Sequence, residues 1–307
     1  MCRRCDKTGF PKDAGKPGRL FSAGKEATFG QSNHPGGGKP EGVSRLMIQC
    51  PSIGFTLLEV LLALAVVVMV IGALMALSRA VSIGSGYTEA VSLTTQHARV
   101  VLDRISRTVR EATANANFPG FLVVSDQLDS WRFPDTLVVW HPDAAPADPT
   151  GMPRFSELVI YCPHPQEPAW LMEIRLPEDT RPVPAVTDLS AWEAELAAIR
   201  SSGTGTWVRL TDRMRTASAP EWGAKGSRAA LRFEARYRPS WEEYAAYKAG
   251  TTAWSALGWP QSIYGPNMGL RQAWLRIELQ LAAEEENTQP ESYPFFGSAA
   301  LYYPLSK

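Results

Sequence analysis

Cysteine is scarce in this chain and net charge is absent. The 307 residues hold four Cys, and 31 basic side chains stand against 31 acidic ones. Cys2, Cys5 and Cys50 lie within the first 54 residues, so Cys162 stands alone after them. That excludes a disulfide-stapled scaffold, and a lone Cys closes no intramolecular bridge. Cys2 and Cys5 have C-x-x-C spacing, but no second ligand pair follows at zinc spacing. Balanced charge removes the usual reason to expect a nucleic-acid binder, whose domain carries a basic excess. Long apolar runs are missing with one exception, and a mean hydropathy of -0.16 excludes a polytopic membrane protein. No tandem repeat is present, which disfavours a solenoid or propeller. Gly203-Thr204-Gly205 lacks the Lys of a P-loop and the remainder of a dinucleotide fingerprint.

What is present is unevenly distributed. Residues 1–54 carry nine basic and four acidic side chains, which leaves 22 basic and 27 acidic for the rest. Residues 1–46 are rich in Gly, Lys and Pro without apolar periodicity. The stretch His34-Pro35-Gly36-Gly37-Gly38-Lys39-Pro40 cannot bury enough surface to offset its ordering entropy, so disorder is expected there. Met47 offers an internal start that would leave a leader of eight residues, 47–54, without Lys or Arg. A start at Val43 would keep Arg45 and one at Leu46 would lose it.

The exceptional run covers residues 55–77, apolar throughout except for Thr56 and Glu59. As a helix it is about 34 Å long, enough to cross a hydrocarbon core of about 30 Å. It exceeds the apolar stretch of an ordinary secretory signal, and no small-x-small cleavage site follows at Ser78-Arg79-Ala80. Glu59 is the residue that needs a reason. A charge at the centre of such a helix costs on the order of 3 kcal/mol, less near the headgroup boundary, so it is either a tolerated interfacial residue or a functional one.

Gly54-Phe55-Thr56-Leu57-Leu58-Glu59-Val60, followed by the long apolar run, resembles the processing site of type IV prepilins and type II secretion pseudopilins. The resemblance implies cleavage after Gly54 by a prepilin peptidase, methylation of the new amino terminus on Phe55, and Glu59 as the fifth mature residue. It implies a filament assembled through the amino-terminal helix, in which Glu59 of one subunit neutralises the amine of a neighbour. Pairing would remove two desolvation penalties together and fix the axial register. The basic leader favours a cytoplasmic amino terminus, with residues beyond Arg79 on the far side of the membrane. With a start at Met47 that support disappears and the resemblance alone carries the orientation; it implies the inner membrane, with the domain in the periplasm.

Beyond the run, Leu102, Ile105, Val109 and Ala112 recur at helical spacing, with Arg104, Arg107, Arg110 and Glu111 on other faces. Gly84 and Gly86 predict a bend or melted turn between the two helical segments, and Phe118-Pro119-Gly120 a stop. Strands are predicted at 121–124, 136–140, 157–161, 170–176, 207–210, 231–237 and 273–281. The last two alternate cleanly between apolar and polar residues, as a sheet with one wet face requires. Ser190-x-x-Glu193 and Ser240-x-x-Glu243 read as capping boxes of short helices, with Trp192, Leu196 and Ile199 on one face of the first.

The resulting expectation is an α+β, pilin-like chain in four parts. Residues 1–54 are the leader, 55–77 the membrane-spanning half of the helix, 78–117 its amphipathic half packed on an antiparallel sheet, and 118–307 the β-rich extracytoplasmic domain. The order Leu231, Phe233, Tyr237, then Trp254, Trp259-Pro260 and the strand from Trp274 to Leu281, resembles J-type minor pseudopilins or W-like minor pilins. Residues 121–206 resemble no named family, and the Pro-rich segment 141–153 reads as an insertion.

Chemistry is thinly represented. Cys162-Pro163-His164 reads as an extended surface loop without the base and orienting group that nucleophilic catalysis needs. Asp143 and Asp148 could offer oxygens to calcium, yet no EF-hand pattern frames them, and a solvated loop is the preferred reading. Ten Trp, five of them at 222, 241, 254, 259 and 274, are assigned to core packing before a ligand platform. The expectation is a non-enzymatic minor pilin or pseudopilin with no cofactor or metal. Its partners would be the prepilin peptidase, other pilins, the inner-membrane assembly platform and lipid, with no nucleic acid. The alternative is an extracytoplasmic adhesin or binding domain on an uncleaved signal anchor.

Overall fold

The computed structural model describes residues 56–128, 130–219, 221–222, 226–283 and 292–307. The leader expected at residues 1–54, with Cys2, Cys5, Cys50 and Gly54, and the expected first mature residue Phe55 lie outside the described residues. The chain divides into two units, Met1–Leu62 and Ala63–Lys307.

The first element, α1 (Leu57–Arg110), is a single uninterrupted helix. The turn predicted at Gly84 and Gly86 is absent. A Cβ at either position would meet nothing within 4 Å, so the two glycines lie on an open surface and their propensity cost is tolerated. The helix stops at Arg110, before Phe118. Its buried stripe is Ala98, Val101, Ile105, Val109 and, just past the helix end, Ala112. Steps of three and four residues place these side chains on one face.

Five antiparallel strands make the larger sheet: β1 (Phe121–Leu128), β2 (Trp131–Trp140), β3 (Leu158–Pro163), β4 (Leu171–Arg175) and β5 (Thr206–Thr211), paired in chain order. Val124 pairs with Thr136 and Asp126 with Phe133, so two residues of β2, Pro134 and Asp135, oppose one of β1. The bulge accommodates a proline that has no N–H for the ladder. The middle of the sheet, from Leu137 to Trp140 of β2 and through β3, is buried on both faces. Phe121, Leu137, Val139, Val159 and Tyr161 meet the α1 stripe in one core. Leu122, Val138, Trp140, Leu158, Ile160 and Cys162 meet α2 (Leu189–Ser202) in the other, through Trp192, Leu196 and Ile199. Two-sided burial is why residues 137–140 of β2 and 158–162 of β3 read as unbroken apolar runs rather than alternations.

A short pair follows, β6 (Thr216–Ser218) with β7 (Ser227–Ala229), and then a second sheet. Its strands are β8 (Leu231–Arg238), β9 (Met268–Ala282) and β10 (Ser292–Ser306), in the order β10-β9-β8. Leu275, Ile277, Leu279 and Leu281 alternate inward to the α1 core, as the sequence pattern predicts. The strand β10 was not predicted. Pro294, Gly297 and Pro304 interrupt its apolar pattern, but an edge strand tolerates proline on its open side. A Cβ at Gly297 would lie 2.9 Å from Leu102 Cδ2, so α1 packs closely over β10 there.

Between β8 and β9 sits α3 (Trp241–Lys248), whose capping box forms as expected. Ser240 Oγ accepts from the Glu243 amide at 3.2 Å, and Glu243 Oε2 accepts from the Ser240 amide at 2.7 Å. The other predicted box is displaced. Asp188 caps α2 by accepting from the Ala191 amide at 3.1 Å, and Ser190 lies inside the helix, donating to Asp188 at 2.8 Å. A carboxylate two residues upstream is the stronger acceptor for free amides bearing the positive end of the helix dipole.

Candidate functional site

Glu59 lies in the first turn of α1. Its amide donates to the Thr56 carbonyl at 3.0 Å and approaches the Thr56 hydroxyl at 3.4 Å, which puts Thr56 at the N-cap and Glu59 three residues in. Thr56-x-x-Glu59 has the capping-box spacing, a second reason for these residue types that the sequence reading overlooked. A carboxylate here also faces the positive end of the helix dipole. It makes no ion pair among the described residues, and it is the only charged residue between 56 and 77.

Around Glu59 the helix is apolar on every side. Leu57, Leu58, Leu62, Met69, Met75 and Leu77 are each more than 60% exposed. This is one helix long and apolar enough to cross a membrane, and none of its apolar window is buried in the protein. Large side chains are worth about 1.5–3 kcal/mol each on burial, so leaving the segment in water costs on the order of tens of kcal/mol. A cover of lipid or of other helices would remove that cost. Gly54 and Phe55, which precede it, lie outside the described residues.

The other candidates resolve into structural roles. Cys162 is not on a surface loop. It is an interior residue of β3, wholly buried, and burial pushes its thiol up to about 11. The residue before Pro163 is extended, as predicted, but the extended segment is a strand. His164 Nδ1 accepts from the Gln166 and Glu167 amides at 3.3 and 3.1 Å, which tightens a turn after the strand. Asp148 accepts from the Thr150 amide and hydroxyl and the Gly151 amide, all at 2.9 Å; these bonds hold its carboxyl below the usual range. Asp143 pairs with Arg175 at 2.6 Å. Among the described residues no group of three or more His, Cys, Asp or Glu could hold a metal. Gly203 caps α2 at φ 63°, and at Gly205, with φ 89°, a Cβ would meet the Arg175 carbonyl at 2.4 Å, so backbone geometry accounts for both glycines. No protein-family model, curated protein or solved structure matches the chain.

The Trp assignments divide. Trp254 and Trp259 are core residues, their indole N–H groups donating to Gly265 O and Trp254 O at 2.9 Å. Trp274 is only half-buried on the outer face of β9.

One polar constellation was not visible in the sequence. A cavity of about 500 Å³ is lined by Asp126, Asp135, Arg200 and Arg228, drawn from β1, β2, α2 and β7. Arg200 lies 3.2 Å from Asp126 and 3.8 Å from Asp135, and Arg228 pairs with Asp126. Burial pushes the Asp135 carboxyl up to about 6 against the pull of Arg200. Two cations balance two acids, so the cavity has no excess charge with which to recruit a ligand. Its evident work is to tie four elements together beside the β2 bulge.

Proposed function

We propose that the chain is a minor pilin or pseudopilin subunit of a type II secretion or type IV pilus-like filament, processed after Gly54 and assembled through its amino-terminal helix. The observation that carries this reading is the exposed apolar segment with one carboxylate, Glu59, in its first turn and five residues beyond Gly54. From residue 63 the same helix continues without a break into the stripe that packs on antiparallel sheets, which supports a pilin-like layout.

The physical logic is one of exchange. Before assembly, lipid covers the apolar segment; afterwards, neighbouring helices must cover it to a similar extent, since extraction into water is prohibitive. Glu59 and the α-amine on Phe55 of a neighbouring subunit would neutralise each other where either charge alone would be costly. The partners are then a prepilin peptidase, other pilins, the inner-membrane assembly platform and lipid, with the β-rich domain in the periplasm.

Mass spectrometry of the amino terminus tests the processing step. A methylated Phe55 as first residue is expected, and an intact Gly54-Phe55 bond would favour a simple signal anchor bearing an adhesin or binding domain. Glu59→Ala and Glu59→Lys should insert and fold like the parent yet enter filaments poorly, as measured in the sheared filament fraction. Full incorporation of both variants would refute the pairing.

A further inference from the structure

The outward face of β8, β9 and β10 is a grid rich in arginine and aromatic side chains. In register across the three strands stand Arg232, Glu278 and Phe296, then Glu234, Arg276 and Ser298, then Arg236, Trp274 and Ala300, then Arg238, Gln272 and Tyr302. Arg215 joins at one end, donating to Gln280 at 3.0 Å and to Ser292 at 3.2 Å. Five arginines therefore face two glutamates. Arg236 and Arg276 share Glu234 at 2.6 and 3.9 Å, whereas Arg232 and Arg238 make no ion pair among the described residues. Phe296 is 57% and Tyr302 46% exposed, and Arg276 and Arg236 lie over the Phe296 and Trp274 rings at 5.6 and 5.7 Å.

This positive face belongs to an acidic chain, with 22 basic and 27 acidic residues after position 54. The acidity has a counterpart layer. Residues 177–199, which cover the outer side of the five-stranded sheet through Trp192, Leu196 and Ile199, carry Glu178, Asp179, Asp188, Glu193 and Glu195 against Arg181 alone. Glu178 and Asp188 are exposed, as is Leu189 beside them. Arg with Trp, Tyr and Phe are the residue types that concentrate binding energy in protein interfaces. Two strands about 50 Å long and a third about 27 Å long offer roughly 600 Å², somewhat below the ~800 Å² per partner of a stable interface. The two glutamates set among the arginines would repel a run of phosphates, which disfavours nucleic acid as the occupant.

We propose that this Arg-aromatic face docks the 177–199 layer of a second copy of the chain. The two surfaces are different patches of one molecule, so the contact is head-to-tail and leaves one of each patch free for another copy. It does not depend on processing at Gly54 or on the pairing of Glu59.

The test is a charge swap in the full chain in detergent micelles, with association read by energy transfer between two carboxyl-terminally labelled pools. The paired substitutions are Arg232→Glu with Arg238→Glu on the face, and Glu178→Arg with Glu193→Arg on the layer; circular dichroism checks that both fold. Each variant alone should self-associate roughly tenfold more weakly than the parent at low salt, and the parent should weaken by a similar factor in about 0.5 M salt. Mixing the two variants offers two complementary contacts, the native face on the native layer and the reversed face on the reversed layer, and should return association to within about threefold of the parent. Contacts made by the apolar helix would not respond to these charges. Three results would overturn the proposal: a parent that does not associate, variants that associate as the parent does, or a mixture no stronger than its components.

Discussion

Arg104→Met should destabilise the protein by about 2–3 kcal/mol at neutral pH. Arg104, on α1, donates from Nε and Nη2 to the two oxygens of Glu173 on β4, both at 2.9 Å. Glu173 is 3% exposed and also receives Arg175 Nε at 3.3 Å and the Tyr161 hydroxyl at 3.2 Å. Tyr161 OH lies 2.9 Å from Thr108 Oγ1, which returns the network to α1. Losing one partner of a buried pair costs about 3–5 kcal/mol, but Arg104 is half exposed and Arg175 remains, so the lower figure applies. The melting temperature should fall by roughly 5–10 °C. Burial pushes the Glu173 carboxyl up, and the bonds and charge of Arg104, with Arg175, outweigh it and hold it below the usual range. A depressed native pKa stabilises above the unfolded value, and that stability is lost as pH falls through the native one. Without Arg104 the largest opposition to burial is gone, the native carboxyl lies higher than in the parent, and the stability gained on ionisation shrinks. The deficit should therefore be largest near pH 7.5 and shrink toward about pH 4. Thermal melts of the full chain in micelles, followed by near-ultraviolet circular dichroism, measure it. A deficit under about 0.5 kcal/mol, or one equal at both pH values, would refute the reasoning.

Asp135 works in the opposite direction. With its native pKa raised to about 6, wild-type stability should drop by roughly 3 kcal/mol as pH climbs from about 4 through 6, and Asp135→Asn should flatten that part of the profile. At Gly269 a Cβ would meet the Trp259 ring at 2.4 Å, so Gly269→Ala should cost about 1–3 kcal/mol in a denaturant titration; a neutral result would mean the indole is free to move. Cys162 should resist maleimide in the native protein and label fully on unfolding, as judged by peptide mass spectrometry of the segment that contains it.

The parts of the fold legible in the sequence are those whose periodicity serves a single buried face. Ile105, Val109 and Ala112 of the α1 stripe and the alternations of β8 and β9 are of this kind, whereas Leu102 is only partly buried and Ala98 and Val101 extend the stripe beyond the residues read from spacing. Legibility failed where two demands met in one segment. The edge strand β10 hides behind Pro294, Gly297 and Pro304 because its open side needs no donor and its neighbour α1 needs clearance. Ser190-x-x-Glu193 yields to Asp188 because local spacing cannot rank two adjacent acceptors. The helix stays intact at Gly84 and Gly86 because propensity alone does not break a helix that flanking turns sustain. For the candidate site, Glu59 was legible as a lone charge in an apolar run. Its helix-end partner Thr56 was overlooked, although the Thr-x-x-Glu spacing was in view. The Asp126, Asp135, Arg200 and Arg228 cluster was beyond reach, since four separate elements supply it and only their packing brings the charges together.

Residues 63–110 form a rod of about 70 Å with no joint along it. A stalk of that kind cannot absorb a pull or a twist by folding at a knuckle. Tension applied along its length would arrive undiminished at Ala98, Val101 and Ile105, which are wedged between two sheets. Mechanical load and the stability of the domain would then share one set of contacts, and whatever loosens that wedge should weaken the molecule as a strut before it alters its outline.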